Sequence, residues 1–155
     1  MKTKLLTVVF PVTDREVLLG MKKRGFGAGK WNGFGGKVEE GESTEEAARR
    51  EIREESGLSA GEFAKVGAIS FSFTAGDDRV HNVHIFLCSD FNGEPQETEE
   101  MRPRWFPKTD LPLEEMWDGD RIWLPRVIAG EAVSGSVLFT SEGALSQDDL
   151  IFSER

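Results

Sequence analysis

The 155 residues are enough for one domain that buries about two-thirds of its unfolded surface, and shares of 38% hydrophobic and 30% charged residues are those of an ordinary globular chain. A net charge of −9 excludes a partner gripped by its phosphate backbone, which demands a basic stripe, although a small polyphosphate stays open if divalent cations stand between the two negative sets. Cys88 is the single cysteine, which excludes a disulfide framework and a cysteine zinc site and is best read as a buried strand residue.

The start, Met1-Lys2-Thr3-Lys4 followed by LLTVVFPV, has the outline of a secretory leader. Its apolar run is only eight residues, ends in Thr13-Asp14-Arg15-Glu16 and lacks a small-residue cleavage site. Residues 3–12 and 16–22 are therefore predicted as two strands joined by a Thr-Asp-Arg turn. Nothing approaches the ~18 apolar residues of a membrane span, and a cytosolic chain without a membrane partner is expected. From Lys22 to Gly36 the segment KKRGFGAGKWNGFGG holds six glycines and predicts a loop with brief extended pieces. Ser43-Thr44-Glu45-Glu46 is a capping-box pattern, so a helix should run to Ser56 and stop at Gly57. Residues 63–74 and 80–89 are strand-like, with Phe71 and Phe73 on one face, and Asn92-Gly93 signals a turn. A strand at 98–106 is predicted to end at Pro107. A second helix at 119–129 contains Pro125, which should bend or disrupt it unless its surroundings compensate. Segments 132–140 and 148–153 complete the elements. The expectation is a single α+β domain over residues 1–155, with one mixed sheet flanked by two helices.

The chemistry concentrates in Gly36-Lys-Val-Glu-Glu-Gly-Glu42 running into Arg50-Glu51-Ile52-Arg53-Glu54-Glu55-Ser56-Gly57-Leu58. On a helix, Glu51, Glu54 and Glu55 fall within an arc of roughly 100°. Hard oxygens crowded this way suit Mg²⁺ or Mn²⁺, with Arg50 available to orient a glutamate. A solvated acidic face balanced by Arg49, Arg50 and Arg53 would have the same spacing, and spacing alone does not separate the two.

Written as G-x5-E-x7-R-E-U-x-E-E-x-G-U, with U aliphatic, the segment Gly36–Leu58 matches the Nudix box at all nine constrained positions. The chain is identified by this resemblance as a member of the Nudix family. Membership implies an α/β/α sandwich and hydrolysis of a nucleoside diphosphate linked to another group, with Glu51, Glu54, Glu55 and the Gly36 carbonyl as metal ligands. The segments 21–38, 99–106 and 115–125 further resemble the branch of that family that hydrolyses oxidised purine nucleoside triphosphates such as 8-oxo-dGTP and 2-hydroxy-dATP, sanitising the nucleotide pool. That resemblance runs along nearly the whole chain, with about one residue of length difference near Phe71–Val80.

For the substrate, the branch implies a base pocket of Thr7, Phe26, Asn32, Phe71, Phe73, Met101 and Trp117. It also implies the loop residues Phe34, Gly35 and Gly36 against the nucleotide and Lys22 and Lys37 on its oxygens. Glu100 would complete the metal site. A Trp117 plane can stack on a purine and an Asn32 amide can pair along a base edge, although for each phenylalanine alone core packing is the better reading. One position departs from the branch, whose two adjacent acids read the purine edge. Here the order is Trp117-Asp118-Gly119-Asp120, so only Asp120 matches, unless Asp118 substitutes. The missing carboxylate puts the breadth of base recognition in question but not hydrolysis. The implied product pair is a nucleoside monophosphate and pyrophosphate, with Glu54 or Glu55 as general base and a monomeric enzyme as the working form. The alternatives are another Nudix substrate (a methylated purine triphosphate, an ordinary dNTP or a nucleoside diphosphate sugar) and a nucleotide-sensing module without turnover, against which the intact carboxylate set argues.

Overall fold

The computed structural model describes residues 2–74 and 77–155; residues 75 and 76, within the Phe71–Val80 segment expected to differ in length, lie outside it. Among the described residues, eleven strands and two α-helices follow in the order β1 (Lys2–Pro11), β2 (Glu16–Lys22), β3 (Trp31–Asn32), β4 (Phe34–Lys37), α1 (Thr44–Ser56), β5 (Ser59–Ala60), β6 (Ala64–Phe73), β7 (Arg79–Cys88), β8 (Phe91–Asn92), β9 (Met101–Pro107), α2 (Asp120–Ile128), β10 (Glu131–Phe139) and β11 (Leu145–Glu154). A single 3₁₀ turn, Leu113–Glu115, precedes α2.

The main sheet has six strands in the order β11-β10-β6-β7-β1-β4. It is mixed, because β1 lies parallel to β7 and β6 parallel to β10 while the other pairs are antiparallel. Each of its faces carries one helix. On one, Val9, Phe86 and Cys88 meet Ala48 and Ile52 of α1, with Leu58 just beyond it. On the other, Phe10, Ile69, Ile85, Val133 and Val137 meet Trp123, Leu124 and Val127 of α2. The layers are thus helix, sheet, helix, as expected for an α/β/α sandwich. Ile52 is fully buried, and truncating it to Ala costs about 2–5 kcal/mol.

Local chemistry starts and stops α1 where the sequence predicts. The Ser43 hydroxyl accepts from the Glu46 N–H and the Glu46 carboxylate accepts from the Ser43 N–H, each at 3.0 Å. Gly57 ends the helix at φ 79°, a left-handed conformation that side chains disfavour.

Two expectations need refinement, and the condition set for Pro125 is met. The strands do not form one sheet: β3-β2-β9 is a separate three-stranded sheet and β5-β8 a two-stranded one. β2 explains the split, since Val17 and Leu19 enter the core under α2 while Leu18 enters the core under α1. A strand buried on both sides packs between layers rather than extending the main sheet. The strand expected at 98–106 begins at Met101 and includes Pro107, whose missing N–H costs nothing at a strand end. Pro125 does not break α2, because buried Trp123, Leu124 and Val127 hold that helix against the sheet and it ends only three residues later.

Candidate functional site

Two neighbouring regions make the site, an acidic one on α1 and an aromatic one on the opposite side of the sheet edge. Glu51, Glu54 and Glu55 share a side of α1, as their spacing requires. Arg50 binds Glu42 through two hydrogen bonds, Nε to Oε2 at 2.8 Å and Nη2 to Oε1 at 2.9 Å. It also donates to Glu51 Oε1 at 2.7 Å and to the Lys37 carbonyl at 3.1 Å, and Glu54 lies 3.6 Å away. One guanidinium therefore ties the loop after β4 to the acidic side of the helix. Its hydrogen bonds hold the Glu42 carboxyl down at about 2.

Glu55 is buried and accepts the Gly35 N–H at 2.8 Å. Burial pushes its carboxyl up to about 8, with added repulsion from Glu51 and Glu100. Burial also raises Glu51, against the pull of Arg50. The double glycine before Lys37 makes this packing possible. A side chain at Gly35 would collide with the Thr7 carbonyl, and a Cβ at Gly36 would sit 2.8 Å from Glu51 Oε1. These hard oxygen donors, costly to ionise in burial and repelling one another, fit a divalent cation.

The carboxylates expected to hold a metal do not all converge. Among the described residues no three His, Cys, Asp or Glu converge in metal-binding geometry. Glu100 instead accepts from Arg24 at 2.6 and 2.9 Å, and Glu54 is largely exposed. Like charges repel, and the carboxylates are divided among Arg50, Arg24 and the Gly35 N–H.

The aromatic region is a cavity of about 420 Å³ that reaches Glu55, Gly35, Gly36, Lys22 and Lys37 at its polar end. Its walls bring together Thr7, Phe26, Asn32, Phe71, Phe73, Met101, Trp117 and Asp120. Phe26 stacks on Trp117 with ring centres 5.1 Å apart, and Phe71 stacks on Phe139 at 5.8 Å. The Asn32 amide donates to the Lys30 carbonyl at 2.8 Å, which fixes its plane. Asp120 is buried, and desolvation lifts its carboxyl to about 7 against smaller opposing effects of Trp123 and Trp117.

Three predicted substrate residues do not line the cavity. Phe34 is fully buried in the core beneath α1, because its alternation along β4 turns it toward Ile52. Asp118 accepts the Leu145 N–H at 2.6 Å and pairs with Arg121 at 3.2 Å, so it does not substitute for the missing acid. The open side of Gly119 faces Val137 and Phe139. Conversely, Lys4, Phe10, Arg79, His81, Trp123 and Phe139 line the cavity and were not anticipated. Period-two alternation puts Lys4, Leu6, Val8 and Phe10 on one face of β1 and Arg79, His81 and Val83 on one face of β7. It does not tell which face borders a cavity.

Comparison with known proteins agrees with this geometry. The NUDIX domain family matches residues 3–127. The oxidized purine nucleoside triphosphate hydrolase of Danio rerio is 47% identical over 148 residues, 96% of this chain and 94% of that protein. The mouse protein of the same name is 46% identical over 143 residues, 92% and 91% of the two chains. A MutT protein from Bacillus halodurans superposes with a TM-score of 0.84 at 26% identity, over 95% of this chain and 97% of that one. Box, fold and relatives agree: the chain belongs to the Nudix family of hydrolases, enzymes that generally use a divalent metal and act on small nucleotides.

Proposed function

We propose that the chain hydrolyses oxidised purine nucleoside triphosphates to a nucleoside monophosphate and pyrophosphate, so clearing damaged bases from the nucleotide pool. The observation that carries the reading is the continuity of one cavity from a stack of aromatic rings to Glu55 and the Gly35-Gly36 backbone. The names of the zebrafish and mouse relatives support the same substrate class.

Trp117 and Phe26 supply flat faces for a purine, and Asn32 and Asp120 supply polar atoms for its edge. Lys22 and Lys37 at the polar end meet phosphate oxygens. A divalent cation, Mg²⁺ or Mn²⁺, held by Glu51, Glu54, Glu55, Glu100 and the Gly36 carbonyl, would keep these carboxyls ionised and offset charge developing at phosphorus. Arg50 orients Glu51 and steadies the loop, acting as a positioning residue. Glu55, unlike Glu54, stands on the cavity wall, and we assign it the proton of the water that attacks the β-phosphorus. The working form is a monomer in the cytosol. No helix among the described residues is long and apolar enough to cross a membrane.

The test is turnover of ordinary and oxidised purine triphosphates with Mg²⁺, following monophosphate and pyrophosphate. Preference for 8-oxo-dGTP or 2-hydroxy-dATP over dGTP and dATP is the expected result. Equal or no turnover across the purines overturns the substrate assignment. A second reading, another modified purine such as a methylated one, is favoured by Gly119 alone, since one edge-reading acid is absent.

A further inference from the structure

Among the described residues, four buried polar atoms lack a hydrogen-bond partner: Thr7 Oγ1, His81 Nε2, His84 Nδ1 and Trp123 Nε1. Thr7, His81 and Trp123 line the same cavity. Buried polar atoms are normally paired, because desolvating one without a partner is unfavourable. The unpaired atoms of Thr7 and His81 on one cavity therefore mark where a bound molecule supplies the missing partners. Trp123 already neighbours Asp120 and acts on its carboxyl. His81 has no such neighbour, and no motif singles it out.

We propose that His81 is a specificity-determining residue, its Nε2 hydrogen-bonding the polar edge of the purine base; this rests on the reading of the cavity as a purine site. The histidine sits within β7, paired with Lys4 on one side and Phe71 on the other. Its ring meets Phe26 edge-on at 5.7 Å and Phe73 at 5.9 Å, and these contacts hold the imidazole plane. Arg79 lies over both phenylalanines, at 5.1 and 4.8 Å, and is itself held by Asp77 at 2.7 Å. The imidazole is thus wedged on the wall with Nε2 shielded from solvent. Burial, with Arg79 and Lys4 adding positive charge nearby and Asp77 opposing them, lowers its pKa, so the ring is neutral at neutral pH. A neutral imidazole nitrogen donates in one tautomer and accepts in the other. It can therefore pair with a carbonyl or ring nitrogen of one base and with an N–H of another, a partial replacement for the acid that Gly119 lacks.

The competing role is packing alone, and the choice of variants separates the two. His81→Leu removes the nitrogen and keeps bulk, whereas His81→Gln returns a polar atom at the reach of Nε2. Both would be assayed on the best purine triphosphate and on a pyrimidine triphosphate. Binding of the purine monophosphate would be followed in parallel by tryptophan fluorescence. His81→Leu is expected to raise KM and the monophosphate Kd roughly tenfold, with kcat within about twofold and the pyrimidine unaffected. His81→Gln should recover much of that loss. Equal losses in the Leu and Gln variants, or an unchanged KM and Kd in His81→Leu, would overturn the assignment. If the wild type prefers ordinary purines, the oxidised-substrate reading fails while the His81 result still stands. If it neither turns over nor binds any purine nucleotide, both fall.

Discussion

The two ends of the cavity satisfy their polar groups in opposite ways. At the acidic end four carboxylates have donors: Glu42 and Glu51 on Arg50, Glu55 on the Gly35 N–H, Glu100 on Arg24. At the aromatic end Thr7 and His81 keep buried atoms without protein partners, and Asp120 is buried with its carboxyl raised to about 7. The first end is preorganised around charge by its own donors, with burial and mutual repulsion still raising Glu51 and Glu55. The second leaves its hydrogen bonds to be completed by what binds. The contrast suits a hydrolase that must hold any triphosphate firmly yet choose among bases, since discrimination comes from polar groups that go unpaired when the wrong base enters.

The sharpest way to break this comparison is to remove the acid that touches the cavity. Glu55→Gln keeps an acceptor for the Gly35 N–H but cannot take a proton, so kcat with Mg²⁺ should fall by about 10²–10⁴. Near-native turnover would move the base to another residue. Next in size, Trp117→Ala removes the stacking plane and should raise KM for purine triphosphates by roughly ten- to a hundredfold, with a smaller change in kcat. If kcat fell and KM did not, Trp117 would belong to the chemistry rather than to base binding.

A stability measurement joins the two ends. The folded values of Asp120 and Glu55, about 7 and about 8, lie above their ordinary 3.8 and 4.5, so the folded state keeps protons that the unfolded chain has released. Stability of the metal-free protein must then fall as pH rises between about 4 and 8, by up to about 1.4 kcal/mol per pH unit for each group, and level off above. Tm recorded against pH should show this decline, with Asp120→Asn removing one part and Glu55→Gln the other. A slope unchanged in both variants would contradict the buried-acid picture. The smallest effect is expected from Gly119→Asp. A Cβ there meets Val137 at 3.5 Å and Phe139 at 3.6 Å, ordinary contacts, and φ is unstrained at −76°. The restored acid should change the preference between oxidised guanine and oxidised adenine substrates by a fewfold, read as a ratio of kcat/KM values. An unchanged ratio would show that base choice is made elsewhere on the wall.

How much could be read in advance follows the same division. Residues 36–58 are contiguous, so the helix, its capping box, its Gly57 stop and the shared side of Glu51, Glu54 and Glu55 follow from spacing and local hydrogen bonds alone. Arg50 was also legible, because it lies next to Glu51 and within reach of the loop. The aromatic wall draws on β1, the glycine-rich loop, β6, β7, β10 and the turn before α2, and no local rule relates them. Alternation could pair Phe71 with Phe73. It could not tell that Phe34 belongs to the core under α1 while Phe10 and Phe139 border the cavity, or that Asp118 is spent on the Leu145 N–H.

The sequence by itself determined the family, the acidic helix and the positions of the long strands, because each is written in a pattern over a few consecutive residues. The tertiary structure alone decided that β2 splits the strands into separate sheets, that His81, Arg79 and Trp123 reach the cavity, and which carboxylates each arginine takes. Those outcomes depend on which faces of distant strands are pressed together. Period-two alternation yields two equivalent faces, and only packing against the rest of the molecule makes one of them a core and the other a cavity wall.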